Sequence, residues 1–146
     1  MNKIASEASN YFFDGFLCSE SVVKAIAEEN NISSSMITKI ATAFGRGLAN
    51  SESTCGALSG GILALSMIQG RDNNNDSFEL LYENIAELKK SFVDEFKEDT
   101  CTKLLGFSLN DADANEKFTQ NDCKNCKCSK YVAFVTQNVS KMLKNQ

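Results

Sequence analysis

Six cysteines carry most of the chemistry available to this chain, and four of them stand where a helix is about to begin. Cys18 opens Cys18-Ser19-Glu20-Ser21-Val22-Val23, and Cys55, after Ser53-Thr54, opens Cys55-Gly56-Ala57-Leu58-Ser59-Gly60-Gly61. Cys101 follows Asp99-Thr100, and Cys128 precedes Ser129-Lys130-Tyr131-Val132. A helix N-terminus presents unpaired backbone N–H groups and a partial positive charge. Both favour a thiolate, the form that attacks disulfides and binds metal. Four such sulfurs brought together would make a metal or iron–sulfur site, and two would make a redox pair. A free cysteine is often only a small buried hydrophobe, but core packing gives four of them no reason to prefer helix starts.

Cys123-x-x-Cys126-x-Cys128 is the densest sulfur cluster. A redox Cys-x-x-Cys normally sits between a strand and a helix, and no strand is legible here. A zinc site wants a second ligand pair, and the chain has no His and no second Cys-x-x-Cys. The cluster therefore needs Cys18, Cys55 or Cys101 to complete a four-sulfur shell, and the plain alternative for Cys123 and Cys126 is a loop with unemployed thiols. The absence of His also removes Cys–His dyads, imidazole acid–base catalysis and His-ligated haem. Neither Phe44-Gly45-Arg46-Gly47 nor Gly56-Ala57-Leu58-Ser59-Gly60-Gly61 ends in Gly-Lys-Ser/Thr or follows a strand, so neither reads as a phosphate loop. These glycines instead let backbone amides approach the sulfurs, where N–H···S contacts tune a negative centre. Asp94, Glu95, Glu98 and Asp99 read as solvated surface and a helix cap, and Phe12, Phe13 and Phe16 as core.

The elements that must position these residues are helices almost throughout. Ile4, Ala8, Tyr11 and Phe12 recur at helical spacing up to Gly15, and Val22, Val23, Ile26 and Ala27 form the face of a second helix ending at Asn30-Asn31. Ser33-Ser34-Ser35 caps a third, with Met36, Ile37, Ile40, Ala41 and Phe44 expected inside and Gly45-Arg46-Gly47-Leu48 as its end. The stretch from Cys55 to Ile68 is apolar nearly all round, which predicts a buried central helix. Its Gly56, Gly60 and Ala64 fall at steps of four and predict a smooth stripe for close helix packing. After the loop Gly70–Asp76 comes a long helix bearing Phe78, Leu81, Tyr82, Ile85, Leu88, Phe92, Val93 and Phe96. Cys101 to Gly106 predicts a short helix, and Asn110 to Lys127 a polar, turn-rich, mobile connection. The last helix carries Tyr131, Val132, Phe134, Val135, Val139 and Met142. The expected fold is an all-α compact bundle of about six helices around a Gly-rich central helix.

At 146 residues the chain is long enough for one domain, spanning 1–146, with a real core. A net charge of −4 with scattered Lys and Arg excludes a nucleic-acid footprint. The N-terminal residues hold no apolar run of signal-peptide length, and Gly56–Ile68 is too short and too diluted to span a bilayer. A cytoplasmic location is expected, and in a reducing compartment six cysteines point to metal or redox use before a disulfide framework.

These segments together resemble a family of redox-active proteins named after its pattern of one Cys, a Cys-Gly-Ala-x-x-Gly motif and two later cysteines. The matching pieces are Gly15-Phe16-Leu17-Cys18-Ser19-Glu20-Ser21-Val22, Phe44-Gly45-Arg46-Gly47-Leu48, Cys55-Gly56-Ala57-Leu58-Ser59-Gly60, Cys101-Thr102-Lys103-Leu104-Leu105-Gly106 and Cys128-Ser129-Lys130-Tyr131-Val132. The domain is similar to the cysteine-bearing part of split-Soret cytochromes c, where four cysteines hold an iron–sulfur centre. That resemblance implies cofactor and metal ligands at Cys18, Cys55, Cys101 and Cys128; the haem-binding part has no counterpart here. The family pattern needs a single late cysteine and this chain offers three, with Val132 aligning Cys128 to the family position and leaving Cys123 and Cys126 as spare ligands, a resolving pair or neither. The leading expectation is an electron-transfer protein with a 2Fe-2S iron–sulfur cluster on those four cysteines. The alternatives are a metal-free thiol–disulfide protein using Cys55 or Cys18 as a low-pKa thiol, and a structural or interaction module tied by zinc. No redox partner, substrate or enzymatic reaction can be named from the residues, and the apolar stripe of the last helix allows a homodimer.

Overall fold

The structure, a computed structural model, describes residues 2–145. α1 (Lys3–Phe13) starts at Asn2, whose side-chain oxygen accepts the Ala5 N–H at 3.0 Å, and buries Ile4, Ala5 and Ala8. Gly15, at φ +109°, turns the chain into α2 (Cys18–Glu29). One Glu20 oxygen accepts the Leu17 N–H at 2.8 Å, closing the first turn of α2. Its other oxygen accepts the Thr42 hydroxyl at 2.6 Å, which ties that turn to the end of α3 (Met36–Thr42).

α3 departs from expectation. Of its residues only Ala41 is fully buried, and Met36 and Ile40 are 51% and 53% exposed. The helix touches α2 at its C-terminal end, where the Ala41 carbonyl accepts the Ser19 hydroxyl at 2.7 Å, so its outer apolar positions find no neighbour. Then follow α4 (Gly45–Asn50), α5 (Gly56–Gln69), α6 (Glu79–Phe96), α7 (Cys101–Leu105) and α8 (Ala114–Gln120). A π-type turn (Lys124–Cys128) runs directly into α9 (Ser129–Lys144). The described residues hold nine α-helical segments and no strand, so the all-α expectation stands, with short helices that the count of about six omitted. No helix among them is long and apolar enough to cross a membrane.

α5 is the buried centre, as its composition predicts, and glycine is what lets its neighbours close on it. A Cβ at Gly60 would lie 2.8 Å from the Ser19 carbonyl oxygen and 3.1 Å from Val22 Cβ of α2. One at Gly61 would run into Val135 of α9 and Leu88 of α6. Each mid-helix glycine costs about 1 kcal/mol relative to Ala, and the close approach buries Val22, Ile26, Leu58, Leu65 and Leu88 completely. α6 and α9 meet through an aromatic cluster in which Phe96 and Tyr131 stack edge to face at 4.7 Å between ring centroids. Val132, Val135 and Val139, the stripe that allowed a dimer, are fully buried within the chain.

The polar connection from Asn110 to Lys127 is more structured than expected. It contains α8, and it buries Ala114 and Cys123 against Leu105 and Phe107 in a small second cluster. The Lys127 ammonium pins it by donating to the Leu104 and Leu105 carbonyls at 3.1 and 3.0 Å, the unpaired acceptors at the end of α7.

Candidate metal and redox centre

Three of the four singled-out cysteines stand at helix starts. Cys18 is the first residue of α2, Cys55 the N-cap of α5 and Cys101 the first residue of α7. Cys55 and Cys101 are held side by side by an antiparallel bridge between Thr54 and Thr100. Around it the Cys55 N–H donates to the Asp99 carbonyl at 2.7 Å and the Cys101 N–H to Ser53 at 3.0 Å. Cys128 differs from expectation: at φ −57° and ψ −41° it lies inside continuous helical backbone. That helix begins five residues earlier, after Asp122 at φ +48°. The Lys124–Cys128 stretch extends α9 backwards through π-type spacing, a local distortion common at functional sites.

Cys18, Cys55, Cys101 and Cys128 line one cavity of about 220 Å³. Phe12, Phe16, Leu104 and Tyr131 make its walls apolar, and Arg46 and Lys124 bring two positive charges to it. Cys55 is buried and the other three are half-buried. Of the remaining cysteines, Cys123 is fully buried in an apolar cluster against which Cys101 and Cys128 pack, whereas Cys126 is exposed and points its thiol at the Asp122 carboxylate, 3.6 Å away. Among the described residues no three Cys, Asp or Glu side chains already stand together as a ready-made ion site. The four sulfurs face a shared space without closing on one point.

Backbone shape makes that convergence possible. A Cβ at Gly56 would land on Cys18 Sγ and come within 3.0 Å of Gly45 Cα and 3.1 Å of the Phe44 carbonyl oxygen. A Cβ at Gly47 would lie 2.7 Å from Cys101 Cβ. α4, between them, is left-handed: Arg46, Gly47, Leu48, Ala49 and Asn50 all have positive φ, from 52° to 69°. For a residue other than Gly this conformation costs about 1–2 kcal/mol, and it persists only where the surroundings enforce it. Here the Gly47 carbonyl accepts the Ser53 N–H at 3.0 Å, and the Asn50 carbonyl accepts the Asn110 side chain at 2.6 Å. The Arg46 side chain is held across the turn by Asn50 Oδ1 at 2.8 Å. The two glycines signalled positive φ or close approach; the handedness of the whole turn, and the roles of Arg46, Lys124 and Lys127, carried no sequence signal beyond residue type.

The electrostatics overturn the expectation of low-pKa thiols. Burial pushes Cys55 well above its usual value, Cys18 adds to the shift, and the N–H groups of Leu58 and Ala57 only partly oppose it. Burial likewise raises Cys18, against the N–H groups of Arg46, Ser19 and its own residue. Cys101 is pushed from 9.0 to about 11 by burial and by Cys18, with the Arg46 charge opposing. Burial and then Cys18, Cys101 and Cys123 raise Cys128 further still. Helix starts favour thiolates, but desolvation and mutual repulsion of four converging sulfurs outweigh them. The consequence for stability has a definite sign. A thiol whose pKa rises on folding stabilises the folded chain below its unfolded value and loses that contribution as pH climbs through the folded value. The metal-free protein is therefore expected to lose urea resistance between pH 9.0 and about 11, with a shallower loss in Cys101→Ser; identical slopes for the two proteins would contradict this.

No curated protein and no solved structure matches the chain. The family described as "Putative redox-active protein (C_GCAxxG_C_C)" matches residues 16–142, a span that holds all four cavity cysteines and the Cys-Gly-Ala-x-x-Gly segment at Cys55–Gly60. The match covers most of the chain, and the chain belongs to the C_GCAxxG_C_C family so described.

Proposed function

We propose that this protein is an electron-transfer protein whose Cys18, Cys55, Cys101 and Cys128 hold a 2Fe-2S cluster. The observation that carries the proposal is the lining of one small cavity by these four thiols, three of them from separate helix starts. When bound, the cluster supplies one-electron chemistry. The chain's own residues hold and tune it. The raised thiol pKa values mean that the four sulfurs together resist four negative charges, which bound iron would neutralise. Arg46 and Lys124 offset the net negative charge that remains, and the N–H groups of Arg46, Leu58 and Ala57 are available to the sulfurs of Cys18 and Cys55. Phe12, Phe16 and Leu104 limit the access of water.

Four thiolates also suit a tetrahedral structural zinc, so metal and sulfide content together separate the two centres. Protein purified without oxygen is expected to contain about two iron and two acid-labile sulfide per chain, with visible absorption. Stoichiometric zinc without sulfide would overturn the proposal, and absence of any metal would move the chemistry to the thiols alone.

A further inference from the structure

Cys123 and Cys126 stand outside the four-sulfur cavity, and the proposed function makes no use of them. They occupy the first turn of a helix that begins after Asp122, with the Asp122 carbonyl accepting the Cys126 N–H at 2.8 Å. Helical rise and radius place Cα atoms three residues apart at about 5 Å, inside the roughly 4.4–6.8 Å range that disulfides span. The two thiols differ in access. Cys126 is exposed, while Cys123 is fully buried with Leu105, Phe107 and Ala114 in a cluster against which Cys101 and Cys128 pack. One accessible thiol and one protected neighbour is the arrangement of an attacking and a resolving cysteine.

We propose that Cys123 and Cys126 form a second redox site, a dithiol oxidised to an intramolecular disulfide by a low-molecular-weight disulfide. The Cys126 sulfur attacks one sulfur of the incoming disulfide, forming a mixed disulfide and releasing one thiol. The Cys123 sulfur then attacks Cys126 Sγ, forming the intramolecular bond and releasing the second thiol. Two electrons pass from the protein to the small disulfide, and the two protein thiol protons leave with the released thiols. Cβ atoms three apart on a helix lie about 5–6 Å apart, against roughly 3.5–4.5 Å in a disulfide. Closing the bond therefore shifts Cys123, a member of the apolar cluster against which Cys101 and Cys128 pack. The state of this pair is felt at the cavity wall.

The test is to equilibrate the full chain with oxidised glutathione, block the remaining thiols under denaturing conditions and map the peptides. The expected result is loss of two free thiols per chain, both from Cys123 and Cys126 in one cross-link, and no cross-link in Cys126→Ser. A stable mixed disulfide on Cys126 with Cys123 still free, or a bond to a cavity cysteine, would overturn the proposal. Iron and sulfide measured in parallel decide the cluster separately, because the pair can close in metal-free protein and can fail to close in loaded protein. Native-state alkylation of Cys128 before and after oxidation reads the link to the cavity: a changed rate supports it, and an unchanged rate removes it.

Discussion

Serine at any one of Cys18, Cys55, Cys101 or Cys128 is expected to lower bound iron and sulfide by more than about tenfold, since changes around metal ligands alone cost 10–100-fold. Serine at Cys126 should leave both unchanged. The contrast follows from placement. The four cysteines line one cavity, whereas Cys126 is exposed and turned toward Asp122. Each also arrives on a different support: α2, α5, α7, and the turn before α9. Loss of Cys18, Cys55 or Cys101 therefore cannot be made good by a neighbour on the same element, whereas Cys128 shares its turn with Cys126 and follows Cys123. Cys123 belongs to the apolar cluster against which Cys101 and Cys128 pack, so Cys128→Ser is the variant in which partial retention is most informative. Full retention of iron and sulfide in all four variants, read by metal analysis and the visible spectrum, would sink the cluster proposal. Loss in Cys126→Ser would place the ligand set elsewhere.

Gly56→Ala is expected to destabilise the protein by about 1–2 kcal/mol and to reduce cluster content at the same time. Two effects compete. Alanine in a helix is favoured over glycine by about 1 kcal/mol. Overpacking a filled interior costs about 1–3 kcal/mol, occasionally more. At Gly56 the second wins, because the added methyl meets the Cys18 sulfur together with the backbone of Gly45 and Phe44. Backbone atoms cannot rotate away as a flexible side chain can. Relief then has to come from moving Cys18 or from separating α4 and α5, and either change opens the sulfur site. Urea unfolding and iron content measured on one preparation check both halves. A variant as stable as the parent with full iron would mean that the Cys18 sulfur does not rest against α5.

Much of this was legible before any coordinates. The glycine steps of α5 predicted close packing, and Gly60 does meet Ser19 and Val22. Helix starts were marked at Cys18, Cys55 and Cys101 because local polar and apolar patterning fixes where a helix can begin. Burial was harder to read. Met36, Ile40, Phe78 and Tyr82 have helical apolar spacing yet remain exposed, since periodicity reports a face and not whether another element covers it.

By itself the sequence determined the all-α architecture, the buried central helix and family membership, all of which depend on residue type and local spacing. The tertiary structure decided which sulfurs meet. It set Cys55 beside Cys101 through a two-residue bridge, bent Arg46–Asn50 into a left-handed turn against the cysteine segments, and selected Cys128 for the cavity over Cys123 and Cys126. It also reversed the expected acidity, because a helix start acts on a thiol within one turn of chain. Burial and the mutual repulsion of four thiols exist only once segments more than a hundred residues apart have packed together.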